Sequence, residues 1–421
     1  MFESYSRDEL CVLYNSMLSR LVEIKSRGLS LDMSRGKPGT DQLDLSSDML
    51  NCITANDYRS ENGIDCRNYG GLDGLPEMKK IFADLLEIQP DEVIVGGNSS
   101  LSMMFDNVAV NMTHGVRDGL PWYRQGQVKF LCPVPGYDRH FSICEYFHIE
   151  MIPIEMNENG PDMDMIESLV SGDPMVKGIW CVPFFSNPNG CVYSEETMKR
   201  LANLKGAPDF RLYWDNAYFI HNFRGARPKL FNILKECEKA ENPNMPLVFT
   251  SFSKISFSGA GVAAMASSKS NCRHILKRLA IQTVGPDKLN QLRHARFFKS
   301  ADGVYSHMEK MAKILRPKFD IVFDALQQNL GGKGIAEWFE PDGGYFVSVD
   351  TYDGCARRTV DLCREAGVII TNAGATYPNG NDPRDRNIRL APTYPSQDDL
   401  KQAIEIFCIA LQIAALEKIM L

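Results

Sequence analysis

The sequence predicts an α/β protein, with a mostly parallel, doubly wound sheet in a large domain and a smaller α+β domain. Two observations support this fold class. Short segments rich in apolar and β-branched residues, each bounded by turn residues, recur between residues 91 and 250. This pattern is typical of strands that are buried on both faces of a parallel sheet. Helical patterns lie between most of these segments, which favours right-handed crossover connections.

The first part of the chain alternates between the two patterns in a regular order. A helical pattern covers residues 6–27, and an extended stretch follows over residues 29–44. We expect the large domain to span residues 45–303. Its five clearest strand segments are residues 91–95, 128–132, 176–182, 210–214 and 247–250.

The pattern changes after Lys288. A long amphipathic stretch over residues 304–330 predicts one or two helices. Two further strands and a closing helix are predicted over residues 344–349, 368–371 and 397–418. We expect residues 1–44 and 304–421 to form the small domain together, because the N-terminal segment precedes the first strand of the large sheet.

Composition excludes several classes of protein. The 421 residues carry 46 basic and 53 acidic side chains, a net charge of −7, which disfavours nucleic acid as a partner. No signal peptide and no apolar run long enough to span a bilayer is apparent, and the seven histidines show no metal-ligand spacing. The twelve cysteines form no CxxC pair, which favours reduced thiols in a cytoplasmic protein.

Ligands of open α/β sheets bind beyond the carboxyl ends of the strands, so the residues that follow each strand matter most. After the first strand come Gly97, Asn98 and Ser99 and then a helical pattern. A glycine turn that opens a helix offers free N–H groups to a phosphate, although an ordinary strand-to-helix turn has the same sequence. Tyr137 follows the second strand and could either stack on a planar ring or simply pack.

Three further strand ends carry side chains that could take part in binding or catalysis. Asn187 follows the third strand in an Asn-Pro-Asn-Gly turn, which also fits helix entry without a ligand. Asp215 follows the fourth strand and could be a helix N-cap. Lys254 follows the fifth, where a lone lysine is usually a solvated charge.

Taken together, these groups meet the needs of a pyridoxal cofactor. The cofactor needs a lysine amine in a desolvated or electropositive setting, so that the amine is unprotonated. It also needs a carboxylate facing the pyridine nitrogen, donors to the ring oxygen, and hydroxyl and N–H groups around the phosphate. An aromatic face must cover the ring.

Six motifs resemble those of fold-type-I aminotransferases of the aspartate aminotransferase superfamily, and they occur in the family's order. They are NYGGLDGLP at 68–76, NPNG at 187–190, DNAY at 215–218, SFSK at 251–254, PDGGYF at 341–346 and NIRL at 387–390. The resemblance covers nearly the whole chain, from about residue 30 to 395. It implies a pyridoxal 5'-phosphate (PLP) enzyme with the fold-type-I PLP-transferase fold.

The resemblance also implies roles for individual residues. Lys254 would be the Schiff-base lysine and would carry the proton between Cα and the cofactor. Asp215 would hold the pyridine nitrogen, and Asn187 and Tyr218 would donate to the ring oxygen. Tyr137 would stack on the ring. The implied phosphate ligands are Gly97, Asn98, Ser99, Ser251 and Ser253, with Tyr69 reaching the phosphate of a neighbouring subunit in a homodimer with composite active sites.

The same resemblance implies the substrate contacts. Arg389 would clamp the α-carboxylate of an amino acid or 2-oxo acid, and Gly36 and Asn187 would lie against the substrate. The segment SRGKP at residues 34–38 is similar to that of a divergent subgroup of aspartate aminotransferases. The subgroup is sometimes grouped with the aminotransferase-like domain of certain transcription regulators.

One position departs from the family pattern. The family commonly has an arginine eight residues after the lysine, paired with the phosphate, whereas this chain has Val262. Ser99, Ser251, Ser253 or Ser258 must then take a larger share of phosphate binding.

The implied reaction is ping-pong transfer of an amino group, with aspartate as the expected donor and 2-oxoglutarate as the acceptor. β-Elimination or decarboxylation on the same scaffold, and a regulator that only senses PLP, are the alternatives. A dicarboxylate substrate needs a second cation. Arg35 and Lys37, which flank Gly36, are candidates, as are Arg293 and Arg296 from a partner subunit, although for any single one of them a surface charge is the more usual role.

Overall fold

The computed structural model describes residue 2 and residues 5–420. Its largest sheet has eight strands and contains all five strands predicted for the large domain. The strands are β1 Leu31–Asp32, β2 Val93–Val95, β3 Lys129–Val134, β4 Glu150–Asn157, β5 Gly160–Pro161, β6 Val176–Cys181, β7 Arg211–Asp215, β8 Pro246–Ser251, β9 Ala263–Ala266, β10 Ala336–Trp338, β11 Val347–Thr351, β12 Val368–Ile369 and β13 Asn387–Leu390.

The helices lie between and around these strands. They are α1 Arg7–Lys25, α2 Thr40–Asp44, α3 Pro76–Leu86, α4 Ser100–His114, α5 Asp138–Tyr146, α6 Met163–Gly172, α7 Glu195–Ala202, α8 Ile233–Lys239, α9 Lys269–Gln282, α10 Lys288–Phe298, α11 Ala301–Leu330, α12 Ala356–Glu365 and α13 Gln397–Met420.

The large sheet has the strand order β2-β9-β8-β7-β6-β3-β4-β5. Strands β8, β7, β6, β3 and β4 are parallel, while β9 runs against both of its neighbours and β5 runs against β4. This confirms the predicted α/β class with a mostly parallel sheet. All five predicted strands are present, but the first has an antiparallel neighbour, because β9 separates β2 from β8.

Strands β6, β7 and β8 are buried along their whole length and consist mostly of apolar residues. Their carboxyl ends lie at one edge, in the register Cys181–Trp214 and Asp215–Phe249. Helices α4 and α5 begin near the same edge, after β2 and β3. The last residues of the strands and the first turns of these helices therefore surround one space.

Residues near both ends of the chain pack together. Strand β1 pairs in parallel with β12, and Arg20 of α1 bonds to Glu405 of α13 at 2.7 Å. The antiparallel sheet β10-β11-β13 and the single 30-residue helix α11 complete this part of the molecule. The segment that follows β1, residues 33–38, leads from this region towards the strand ends of the large sheet.

Candidate active site

A cavity of ≈ 180 Å³ lies at the carboxyl edge of the large sheet. Its wall brings together eight residues that the sequence singles out. They are Ser99, Tyr137, Asn187, Asp215, Tyr218, Ser251, Ser253 and Lys254. These residues come from five strand ends and the turns that follow them, so the fold gathers groups that are far apart in sequence.

Lys254 projects its amine into this enclosed space rather than into bulk solvent. Its Nζ donates a hydrogen bond to the backbone carbonyl of Gly36 and lies 5.4 Å from the centre of the Tyr345 ring. Burial, together with the positive charge of Arg389, lowers the pKa of Lys254 to about 8. The amine is therefore much more readily deprotonated than an ordinary lysine, and the solvated-charge interpretation is wrong.

Asp215 is the last residue of β7 and is buried. Its Oδ2 lies 3.1 Å from Nε2 of His140, whose ring stacks on Trp180 with centroids 4.5 Å apart. Its Oδ1 is buried without a hydrogen-bond partner among the described residues. The partner of the carboxylate is thus a histidine and not a helix terminus, which rules out the N-cap interpretation. A buried carboxylate oxygen without a protein donor is available to a donor from a ligand or a water molecule.

The serines lie around the start of α4. Ser99 caps this helix by accepting from the N–H of Ser102, and Ser253 donates to the Asn98 carbonyl at 3.0 Å. Ser251 is buried at the cavity wall, and Ser100, which the sequence analysis did not single out, also lines it. Hydroxyl groups beside a helix N-terminus form a suitable anion site.

Within residues 5–420, no arginine lines the cavity in place of the one that the family pattern would put beside the phosphate. Val262 is fully buried and its carbonyl accepts from the Phe252 N–H, so its side chain belongs to the core. Within the described part of the chain, Lys254 is the only cationic side chain that lines the cavity. The groups that this wall offers to an anion beside α4 are therefore mainly hydroxyl and backbone N–H groups.

Two tyrosines form the remaining polar wall. Tyr137 packs edge-on against His140, with centroids 5.0 Å apart. Burial and the charge of Asp215 raise the pKa of Tyr137 to about 12. Burial likewise raises the pKa of Tyr218 well above its ordinary value. Both hydroxyl groups therefore remain protonated at neutral pH and are able to donate hydrogen bonds.

Arg389 approaches the cavity through Asn187. Its Nη1 lies 3.4 Å from Asn187 Oδ1 and 2.7 Å from Asp138 Oδ1, and its guanidinium carbon lies 4.9 Å from the centre of the Phe346 ring. The guanidinium is buried, paired with Asp138 and in contact with a residue of the cavity wall.

Some predicted residues lie at the rim rather than in the wall. Gly36 contacts Lys254 through its carbonyl, and a Cβ at this position would overlap the Phe346 ring. Gly97 and Asn98 are exposed, with the Asn98 amide donating to the Gly259 carbonyl at 3.2 Å. Tyr69 is 82 % exposed and does not line the cavity of its own chain.

The four candidate cations for a second carboxylate differ in their surroundings. Arg296 is held by Asp57 at 2.6 Å, and Arg293 bonds to Asn290 at 2.8 Å. Lys37 lies 3.8 Å from the centre of the Tyr394 ring. Arg35 is exposed and has no ion pair within residues 5–420. Arg35 and Lys37 also flank Gly36, which contacts Lys254.

Sequence reasoning missed two residues on the first turn of α5. Asp138 and His140 follow Tyr137 and reach Arg389 and Asp215 respectively. The i, i+3 spacing of Tyr137 and His140 on a helix that opens at a strand end was the available signal for His140. Nothing in the sequence pairs Asp138 with a residue 251 positions later.

The arrangement fits a pyridoxal phosphate group. The buried Asp215 oxygen without a partner matches a protonated pyridine nitrogen, Lys254 is a readily deprotonated amine, and the serines at α4 suit a phosphate. Among the described residues, no cluster of His, Cys, Asp or Glu could hold a metal ion. No helix within residues 5–420 is long and apolar enough to span a bilayer.

Known proteins resemble this chain along its whole length. The profile described as aspartate amino-transferase matches residues 5–421. An aspartate aminotransferase from Corynebacterium glutamicum is 42% identical over 417 residues, covering 99% of this chain and 96% of that protein. The crystal structure of an aspartate transaminase from the same species, also 42% identical, superimposes with a TM-score of 0.96 over 99% of both chains.

A more distant structure supports the fold. The α-aminoadipate aminotransferase of Thermus thermophilus, solved with N-(5'-phosphopyridoxyl)-L-leucine, is 18% identical and superimposes with a TM-score of 0.74. It covers 96% of this chain, and 95% of its own length is matched. The overall α/β architecture is therefore shared well beyond the range of close sequence similarity.

Proposed function

The chain belongs to the aspartate amino-transferase family, and from this premise we propose that it transfers the amino group of aspartate to 2-oxoglutarate by a ping-pong mechanism. It is a PLP-dependent aminotransferase of fold type I. The proposal therefore concerns the substrates, the order of the two half-reactions and the roles of individual residues.

The observation that carries the residue assignment is the buried, unpartnered Oδ1 of Asp215 in the same cavity as Lys254. When bound, the cofactor supplies an electron sink for the carbanion formed at Cα of the amino acid. Asp215 would keep the ring nitrogen protonated, and His140 would hold Asp215 in place. Tyr218 and Asn187 would donate to the ring oxygen, while Tyr137 would cover the ring.

Lys254 has two tasks in this proposal. It would hold the cofactor covalently through its amine, and the same amine, once free, would carry the proton removed from Cα of the substrate. A base with a pKa near the working pH is best suited to both directions of such a transfer. The lowered pKa of Lys254, about 8, meets this requirement.

Substrate binding is assigned to Arg389 and to a cation near Gly36. Arg389 would bind the α-carboxylate through two parallel hydrogen bonds. Arg35 and Lys37 flank Gly36 and would serve the side-chain carboxylate of aspartate or 2-oxoglutarate. Arg293 and Arg296 suit this role less, because both already have protein partners.

We also propose a homodimer with composite sites. The proposed phosphate-binding turn is exposed to solvent at Gly97 and Asn98. Tyr69 is also strongly exposed and does not line the cavity of its own subunit. A second subunit that places its Tyr69 over this turn would close the anion site. Residues Ile281 and Val284, close to the Tyr69 loop, expose apolar side chains that such an interface would cover.

We place the enzyme in the cytoplasm. All twelve cysteines are free thiols, and ten of them are buried in the fold. Such thiol usage is ordinary in a reducing compartment and rare in oxidising ones.

One experiment tests the substrate proposal. Each candidate amino acid is added to the purified, PLP-loaded protein, and the absorbance change to the amine form of the cofactor is followed. We expect aspartate and glutamate to convert the cofactor, and 2-oxoglutarate to restore it in a separate step. Conversion only by other amino acids would refute the substrate assignment. Release of ammonia or carbon dioxide instead of an amino product would show elimination or decarboxylation.

A further inference from the structure

We propose that Asp138 is a positioning residue that orients the Arg389 guanidinium for the α-carboxylate of the substrate. This inference rests on the substrate-binding role proposed for Arg389 and adds the residue that sets its orientation. Asp138 Oδ1 accepts a hydrogen bond from Arg389 Nη1 at 2.7 Å. The arginine side chain is 8% exposed and the aspartate side chain 32% exposed, so the pair lies at the boundary between cavity and solvent.

The protein uses only one end of the guanidinium. Asp138 and Asn187 both accept from Nη1, the second at 3.4 Å. The Nε atom is buried without any partner, and no hydrogen bond from Nη2 is found within residues 5–420. The Nε and Nη2 hydrogens point in parallel and form the edge that matches a carboxylate. The protein contacts thus leave one complete edge free for a ligand.

This geometry distinguishes two possible roles of Asp138, which are to position Arg389 or to compete with the substrate carboxylate for it. An aspartate that occupied the place of the substrate carboxylate would be expected to take a two-hydrogen edge of the guanidinium. Asp138 instead makes a single, end-on contact. The buried Nε without an acceptor is unfavourable as it stands, and a carboxylate on the free edge would supply the missing acceptor.

Three contacts together define the plane and the rotation of the guanidinium. Phe346 lies 4.9 Å from its central carbon, Asn187 limits one side, and Asp138 fixes Nη1. Asp138 makes the shortest of these contacts and carries the only full negative charge. Without it, the long arginine side chain would sample other rotations and meet the substrate carboxylate in its productive orientation less often.

The fold makes this contact depend on the first turn of α5. Tyr137 lines the cavity, Asp138 reaches Arg389 of β13, and His140 reaches Asp215 of β7. A single helical turn therefore connects the proposed carboxylate-binding arginine with Asp215, the carboxylate proposed to hold the pyridine nitrogen. Asp138 is also a favourable acidic residue in the first turn of a helix. The test must therefore distinguish substrate positioning from helix stability.

The experiment compares Asp138→Ala and Asp138→Asn with the wild-type holoenzyme. Apparent dissociation constants are measured by titrating the cofactor absorbance with the amino acid that converts wild type best. The same titration is made with the corresponding amine that lacks the α-carboxyl group. Asp173→Ala is the matched control, because Asp173 is 30% exposed and pairs with Lys129 at 2.9 Å near the opposite edge of the sheet.

For Asp138→Ala we expect the dissociation constant of the amino acid to rise about tenfold or more, as for loss of one hydrogen bond between charged groups. Asp138→Asn keeps an oxygen acceptor and should give a smaller increase. Affinity for the amine that lacks the α-carboxyl group should not change in either variant. Asp173→Ala should match wild type in both titrations.

Two results would overturn the proposal. Tighter binding of the amino acid in Asp138→Ala would show that Asp138 competes with the substrate. Equal weakening for the amino acid and for the amine that lacks the α-carboxyl group, accompanied by a lower melting temperature, would show a purely structural role. If Asp138→Ala does not fold, Asp138→Asn decides in the same way. Failure of the wild-type enzyme to convert any amino acid would instead refute the proposed function.

Discussion

The amine of Lys254 donates a hydrogen bond to the backbone carbonyl of Gly36, 218 residues earlier in the chain. Gly36 lies in the segment that follows β1, and β1 pairs with β12. A segment anchored beside the C-terminal half of the chain therefore contacts the reactive group at the end of the large sheet. The lysine is held in a polar contact as well as being shielded from water.

The pH dependence of cofactor loading should reflect this setting. With a pKa of about 8, about a tenth of Lys254 is unprotonated at pH 7. Only the unprotonated amine bonds to the cofactor, so the rate of PLP attachment to apoenzyme should rise with pH through about 8 and level off above it. A rate that climbs until the ordinary lysine range near 10.5 would contradict this. Stopped-flow absorbance from about pH 6 to 10 provides the measurement.

Two variants should move this profile in opposite directions. Arg389 lowers the pKa of Lys254 and Asp215 raises it. Arg389→Gln should therefore shift the loading profile to higher pH, and Asp215→Asn should shift it to lower pH. A shift of both variants in the same direction would show that the two charges do not act on the amine as described.

Asp215→Asn should lower kcat by several orders of magnitude while leaving the melting temperature nearly unchanged. The asparagine cannot keep the ring nitrogen protonated, so the carbanion loses its electron sink. A residue with a purely structural role would behave differently, costing about 1–3 kcal/mol of stability for a lost buried hydrogen bond and sparing turnover. Steady-state kinetics and thermal unfolding of the same preparations separate the two roles.

Arg389→Lys should raise KM for both the amino acid and the oxo acid and also lower kcat. A lysine cannot reproduce two parallel hydrogen bonds, so the loss should be about 1.5–3 kcal/mol or more. PLP affinity should stay close to that of wild type, because Arg389 does not line the cofactor cavity. Unchanged KM values, or lost PLP with intact substrate affinity, would remove Arg389 from the substrate site.

Subunit mixing tests the composite sites. Hybrids of Lys254→Ala with Tyr69→Phe would contain one doubly altered site and one intact site, if Tyr69 acts on the partner's phosphate. Activity after mixing should then exceed the mean of the two parent variants. Activity at or below that mean in verified hybrids would place Tyr69 outside the partner's site.

Gly36→Ala should lower kcat/KM. We expect a free-energy cost of about 1–3 kcal/mol, which is usual for overpacking. The added Cβ would overlap the Phe346 ring, which packs against Arg389, and would also displace the carbonyl that binds Lys254. Gly172→Ala is the matched control, since a Cβ there meets nothing within 4 Å. Kinetics equal to those of the control would show that the segment adjusts without cost.

The sequence predicted well those site residues whose position depends only on the strand immediately before them. Lys254, Asp215 and Asn187 each follow a strongly apolar strand, so their position at the sheet edge follows from strand order. Strand β9 was missed because its sequence, AAMA, has neither β-branched nor aromatic residues to indicate a strand. Strand β4 was missed because it contains Pro153 and alternates without a clear apolar face.

Contacts between distant segments could not be predicted in the same way. The Asp138–Arg389 and Lys254–Gly36 hydrogen bonds join residues more than 200 positions apart. They arise from the packing of the two halves of the chain, and no spacing within either half encodes them. The domain boundaries at residues 45 and 303 remain a prediction.

Because His140 contacts Asp215 and stacks on Trp180, the position of Asp215 depends on packing in the interior of the protein. Trp180 belongs to β6 and is buried among the aromatic rings of Phe130 and Tyr213. The placement of the Asp215 carboxylate is thus set partly by how tightly the aromatic side chains of Phe130, Trp180 and Tyr213 are packed. A design that transfers only the strand-end loops to another scaffold would lack these aromatic contacts to His140. Such a design must therefore also include Trp180 and the rings of Phe130 and Tyr213 that pack around it.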